Sequence, residues 1–221
     1  MGLLSHFGSH PTVATCKLMV YAIQYLRDTV HMGRRYSGSM LDLHVFTDAD
    51  WASDIITRRS TTSYIVFAAG GPIARQSKLQ TTVSTSSMQS EYHRPPMRVC
   101  RQELIWLWGV LAEIQRGLRE ATPFFLDSQS AEDLALNPVF HKRSKHIAIK
   151  YHWVREHVDP EGEERTAVLV HVRTGDQTAD MLTKALCGPT FEEHRSRSLG
   201  EEPKTKKRSY LPLFLGPHGR Q

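Results

Sequence analysis

Four acidic residues stand where side-chain oxygens could act together: Asp48, Glu91, Asp127 and Asp180. Asp48 closes the run LDLHVFT, in which Leu41, Leu43, Val45 and Thr47 alternate with Asp42, His44 and Phe46, as in a strand. Glu91 follows Ser86-Ser87-Met88-Gln89, which has the form of a capping box and marks a helix start. Asp127 closes the short apolar run Phe124 to Leu126, and Asp180 falls in a stretch with Ala179, Leu182 and Ala185 at helical spacing. In an open α/β sheet, neighbouring strand ends bring such side chains to one edge. Gathered carboxylates repel one another unless cations sit among them. Two divalent ions about 4 Å apart would satisfy the cluster and clamp the attacking and leaving oxygens of a phosphodiester. Hard oxygen donors select Mg²⁺ or Mn²⁺ over zinc. Taken singly, an Asp at a strand end is more often a turn former or a helix cap. Asp127 before Ser128 fits an N-cap and Asp180 fits a solvated helix residue, so spacing alone leaves both readings open.

The elements that must position these groups are legible in outline. Residues 12–30 read as a helix, with Ala14, Leu18, Ala22, Tyr25 and Leu26 near helical spacing. After the strand at 41–47 come a second over Thr62 to Ala69 and a third around Ile73 to Gln76, joined by the turn signal Gly70-Gly71-Pro72. These make an antiparallel meander. Met97, Cys100, Leu104, Leu107, Trp108, Leu111 and Ile114 then form an apolar helical stripe. Pro95-Pro96 interrupts the path from the capping box to this stripe. Proline inside a helix costs ~3 kcal/mol or more, so the helix should break or restart there.

Further on, Phe124 to Leu126 reads as a fourth strand, Ser130 to Leu136 and residues 146–158 as helices, and Ala167 to Val172 as a fifth strand. Helices over Asp176 to Ala185 and Glu192 to Leu199 complete the order. Three meander strands followed by alternating helices and strands imply an α/β fold with a mixed sheet and helices on its faces. Trp106, Trp108 and Trp153 are expected in the core. After Gly200 the chain is basic and aperiodic, and is expected to be disordered apart from the apolar patch Tyr210 to Leu215.

Composition narrows the classes further. The 221 residues, 40% of them hydrophobic, suffice for one ordinary domain with appendages. The apolar runs are short and broken by charge, so no membrane span is expected. The N-terminus lacks the charged and long apolar regions of a secretory signal. The three cysteines, Cys16, Cys100 and Cys187, are odd in number and far apart, which disfavours a disulfide framework or structural zinc and suggests an intracellular chain. A net charge of +5 is compatible with a polyanionic partner without requiring one.

At the four carboxylates the sequence resembles a known family. FTDADWASD with RRSTTSYIVF, then GGPIARQSKLQTTVSTSSMQSEY, then FFLDSQSAEDLALNPVFHKRSKHIAIKYHWVRE and VRTGDQTADMLTKAL, are similar to the ribonuclease H domain of Copia-type retrotransposon Pol polyproteins. The motifs stand in the family's order and cover roughly residues 10–198. Residues 1–39 resemble the end of the reverse transcriptase region that precedes this domain, 40–199 the ribonuclease H-like domain, and 200–221 form the basic tail. The resemblance implies a ribonuclease H-like fold with a five-stranded mixed sheet. It also implies hydrolysis of RNA in an RNA–DNA hybrid with two Mg²⁺ or Mn²⁺ ions held by Asp48, Glu91, Asp127 and Asp180. Other parts of a Pol polyprotein are implied as partners.

Beside these, Asp50 and Asp176 are expected to serve as turn or helix-start residues. Arg58, Arg59 and Ser60 are candidates for phosphate contacts, and Ser128 and Gln129 for contacts to the hybrid. His146 is expected to pack or anchor a loop, and Lys145 and Lys150 to lie on a solvated face. Where the family runs an unbroken helix from its Glu, Pro95 and Pro96 intervene here. That departure raises a second reading, a catalytically inactive remnant that still binds nucleic acid.

Overall fold

A computed structural model describes Leu4 and residues 7–37, 43–50, 53–54, 57–80, 96–113, 121–127 and 167–200. The chain divides into two compact units, Met1–Arg34 and Arg35–Gln221.

The first unit is built on helix α1, Val13–Asp28. Thr12 caps it: its hydroxyl accepts from the Thr15 N–H at 3.2 Å, while Thr15 Oγ1 accepts from the Thr12 N–H at 2.8 Å. At the other end the Thr29 hydroxyl donates to the Tyr25 carbonyl. No residue of α1 is buried.

The second unit holds the sheet. Strands β1 (His44–Asp50), β2 (Thr61–Ala68) and β3 (Gly71–Leu79) form the expected meander, and β4 (Thr122–Leu126) and β5 (Ala167–His171) follow. The order across the sheet is β3-β2-β1-β4-β5. The β1–β2 and β2–β3 pairs are antiparallel, and β1–β4 and β4–β5 are parallel. Strand β3 is longer than its expected span because it pairs along nearly all of β2.

Alternation along the strands loads both faces with apolar side chains, as a doubly covered sheet requires. On one face Val45, Tyr64, Val66, Phe124 and Leu169 pack with Cys100, Leu104 and Leu111 of helix α2 (Pro96–Glu113). On the other, Phe46, Ile65, Phe67 and Phe125 pack with Val172 and Ala179. Phe124, Ile65 and Leu104 are among the largest fully buried side chains, and each contributes roughly 1.5–3 kcal/mol of burial energy. The result is the expected α/β architecture, consistent with a ribonuclease H-like domain.

Three expectations are corrected. Asp176 to Ala185 is not one helix but two short 3₁₀ turns, Thr174–Asp176 and Thr178–Leu182, with Gln177 extended between them. Tertiary hydrogen bonds from Gln177, described below, outweigh the weak helical pattern there. Trp106 is 62% exposed rather than core, because α2 turns it away from the sheet. Ser60 is fully buried and its carbonyl accepts from the Gln80 N–H, so it faces the interior rather than a phosphate.

Helix α2 spans Pro96–Glu113, and the stretch before it, where the prolines call for a break or restart, lies outside the described residues. The last helix, α3, spans Gly188–Ser198. The expected helices at 130–136 and 146–158, together with Glu91, Ser128, Gln129, His146, Trp153 and the tail, lie outside the described residues. Among the described residues, no helix is long and apolar enough to cross a membrane.

Candidate metal centre

The parallel pairing of β1 with β4 puts Phe46 beside Phe125. Two residues further along each strand direction come Asp48 and Asp127. Since side chains repeat every second residue, both follow Phe46 and Phe125 on the same side of the sheet. That side is covered by the 3₁₀ turn that carries Asp180.

The turn is fastened to the sheet by side chains of two strands and by its own preceding residue. Ser63 of β2 donates to the Ala179 carbonyl at 3.0 Å, and Ser77 of β3 donates to the Leu182 carbonyl at 2.7 Å. Gln177, fully buried, donates through Nε2 to the carbonyls of Thr47 in β1 (3.0 Å) and Phe125 in β4 (3.2 Å). Its Oε1 accepts from the Ala179 N–H at 3.3 Å. One amide therefore joins the ends of β1 and β4 to the turn. These three bonds also satisfy backbone groups that burial would otherwise leave costly.

Carboxylate oxygens of Asp48, Asp127 and Asp180 consequently lie within 4.8 Å of one another. Asp48 and Asp180 are buried, at 5% and 3% exposure, and Asp127 is partly so. Burial pushes the Asp180 carboxyl up to about 7, and the charges of Asp48 and Asp127 add to the rise while Lys184 opposes it. Burial also raises Asp127, with Asp48 adding and Lys184, its own backbone N–H and His171 opposing. Asp50 at the end of β1 is raised by burial as well. Three close oxygen donors whose negative charge is strained in this way suit a hard divalent cation, which would relieve both the desolvation and the repulsion.

Sequence reading missed two residues here. Lys184 ion-pairs with Asp180 at 3.1 Å and with Asp48 at 3.5 Å. Thr183 donates from its hydroxyl to the Asp48 carboxylate. The i,i+4 spacing of Asp180 and Lys184 was the available signal for the first pair; nothing local marks the contacts to Asp48. Asp176 is a turn residue, the last of the first 3₁₀ turn, and pairs with Arg197 at 3.4 Å. Arg58, exposed and at positive φ, and Arg59 belong to the loop from β1 to β2, which leaves the sheet at the carboxylate end.

The fold and site together define an α/β domain that presents a carboxylate cluster able to hold a metal ion at the ends of two parallel strands. The chain is 37% identical over 192 residues to the retrovirus-related Pol polyprotein from transposon TNT 1-94 of Nicotiana tabacum, a match covering 87% of this chain and 14% of that protein. It is equally identical, 37% over 195 residues, to the Pol polyprotein from transposon RE1 of Arabidopsis thaliana, covering 88% of this chain and 13% of that protein. The Pol polyprotein from transposon RE2 of the same plant matches at 37% over 198 residues, 89% of this chain and 13% of that protein. Over nearly nine tenths of its length the chain is thus homologous to Copia-type retrovirus-related Pol polyproteins, of which it spans 13–14%. No protein-family model matches it, and no solved structure does.

Proposed function

We propose that this chain is the ribonuclease H segment of such a polyprotein, hydrolysing the RNA strand of an RNA–DNA hybrid. The observation that carries the reading is the convergence of the Asp48, Asp127 and Asp180 oxygens within 4.8 Å. In this reading those three residues, with Glu91, hold two Mg²⁺ or Mn²⁺ ions. Bound there, the ions would supply Lewis-acid stabilisation of charge on the phosphodiester and lower the pKa of a water nucleophile.

The protein's own part is positioning. Gln177, Ser63 and Ser77 hold the Asp180 turn against the strand ends, so the ligands need little reorganisation. In this reading Arg58 and Arg59, on a loop at the same sheet end, contact backbone phosphates, and Ser128 and Gln129, next to Asp127 in sequence, contact the hybrid. Residues 1–39 would be the end of a reverse transcriptase region, 40–199 the nuclease, and 200–221 a basic tail. The remaining Pol segments are the natural partners, and the compartment is intracellular.

A second reading, an inactive remnant that binds nucleic acid, is favoured by one observation: Pro95 and Pro96 stand in the sequence between Glu91 and the apolar stripe of α2. A labelled hybrid incubated with the protein in Mg²⁺ or in Mn²⁺ separates the two. The nuclease reading expects metal-dependent cutting of the RNA strand alone. Asp127→Asn should slow it by roughly a hundredfold or more, equivalent to about 3 kcal/mol of lost transition-state stabilisation. A folded protein that binds the hybrid and leaves it whole in both metals supports the remnant instead.

A further inference from the structure

The cluster already contains a cation. Lys184 Nζ lies 3.1 Å from Asp180 Oδ1 and 3.5 Å from Asp48 Oδ2. The Lys184 side chain is 31% exposed while both carboxylates are nearly buried, so the ammonium has a path to solvent that the acids do not. Its main chain is held: the Lys184 N–H donates to the Asp180 carbonyl at 2.8 Å, and the preceding Thr183 hydroxyl bonds to Asp48. A fixed backbone and a four-carbon stem with rotatable bonds leave the charged head as the mobile part. Among the described residues, Lys184 is the cation paired with this cluster.

We propose that Lys184 is the site's resident counter-ion, occupying the carboxylates in the metal-free protein and yielding them to divalent metal. This rests on the metal-centre reading above. The ammonium and the metal are then alternative partners for the same oxygens of Asp48 and Asp180. Every metal that binds must break two ion pairs, so apparent metal affinity is held below what the carboxylates alone would give. Lys184 is thus a positioning residue, which keeps the three acids together before loading.

The test uses the full chain with Lys184→Met, which keeps the aliphatic bulk, and Lys184→Arg, which keeps the charge. Mn²⁺ binding is followed by loss of the free-ion electron paramagnetic resonance signal. Thermal unfolding is measured without metal and in saturating Mn²⁺. Lys184→Met should bind Mn²⁺ on the order of tenfold tighter than wild type, as expected for removing a unit charge at this distance, while Lys184→Arg stays near wild type. Lys184→Met should melt lower than wild type without metal and level with it in Mn²⁺, because the metal replaces the lost charge. If Lys184→Met is unfolded without metal but folds in Mn²⁺, the same conclusion holds.

Equal Mn²⁺ affinity in wild type and Lys184→Met overturns the proposal while leaving the metal centre standing. A melting deficit that persists in Mn²⁺ shows that the lysine is only structural. If neither protein takes up Mn²⁺ although both are folded, the metal reading falls and the proposal falls with it.

Discussion

At Gln177 a single side chain does what the surrounding helical pattern cannot. A glutamine in the polar run TGDQTAD gives no sign of being buried, yet it is fully enclosed and saturates the carbonyls of Thr47 and Phe125 and the N–H of Ala179. Leucine at this position would fill similar volume and abandon all three. Unsatisfied buried backbone groups cost ~1–3 kcal/mol each, though relaxation and water recover part. Gln177→Leu is therefore expected to lose about 2–4 kcal/mol in urea denaturation. It should also weaken Mn²⁺ binding, since Asp180 is no longer clamped beside Asp48. A variant with unchanged stability would show that the amide is dispensable and that Ser63 and Ser77 alone hold the turn.

Among the elements, the end of α3 shows why a short connection can be decisive. Leu199 closes the helix, its N–H reaching the Arg195 carbonyl, and its own carbonyl accepts from the Arg35 N–H at 2.8 Å. Ser37 then donates to the Ala69 carbonyl, and the Tyr36 hydroxyl to the Pro72 carbonyl, so the segment before β1 laces α3 to the β2–β3 hairpin. Gly200 sits at the crossing with φ +73, and a β-carbon there would lie 2.0 Å from the Arg35 carbonyl oxygen. Neither backbone can give way cheaply. Gly200→Ala should destabilise by roughly 2 kcal/mol or more, adding left-handed strain to a backbone clash. Gly175→Ala, which meets nothing within 4 Å, is the matched control and should change stability little in the same denaturation series.

For the whole molecule, two sets of buried groups pull pH dependence in opposite directions. His194 in α3 is fully buried with neither ring nitrogen hydrogen-bonded, and burial, with Arg197 adding, pushes it below its ordinary 6.5. The unfolded chain then binds the proton more readily, so this residue costs stability as pH falls below 6.5. Asp180 behaves oppositely. Its folded value near 7 exceeds the ordinary 3.8, so the metal-free fold binds the extra proton, and the contribution is lost as pH rises through about 7. Removing the histidine should expose the carboxylate effect. In metal-free urea titrations between pH 7.5 and 5.5, His194→Leu should gain stability on acidification relative to wild type, and Asp180→Asn should lose it relative to wild type. Parallel curves for His194→Leu and wild type would mean that His194 titrates normally.

Much of this was readable along the chain, because it depends on local periodicity. Alternation in LDLHVFT, the β-branched and aromatic run TSYIVFAA, the Gly70-Gly71 turn and the α2 stripe from Cys100 to Leu111 each follow from short-range sterics and from which face is apolar. The identities of Asp48, Asp127 and Asp180 were legible as strand-end or turn acids, and family motifs singled them out. What the tertiary structure decided is everything that joins distant segments. Strand order places β4 beside β1, so acids 79 positions apart in the numbering, Asp48 and Asp127, reach one edge. The bonds of Gln177 turn a weak helical pattern into two 3₁₀ turns, and Lys184 enters the cluster as its counter-ion. Local propensities amount to tenths of a kcal/mol per residue, whereas a buried polar group left unpaired costs whole ones. Where the two conflict, at the Asp180 turn, the long-range bonds prevail.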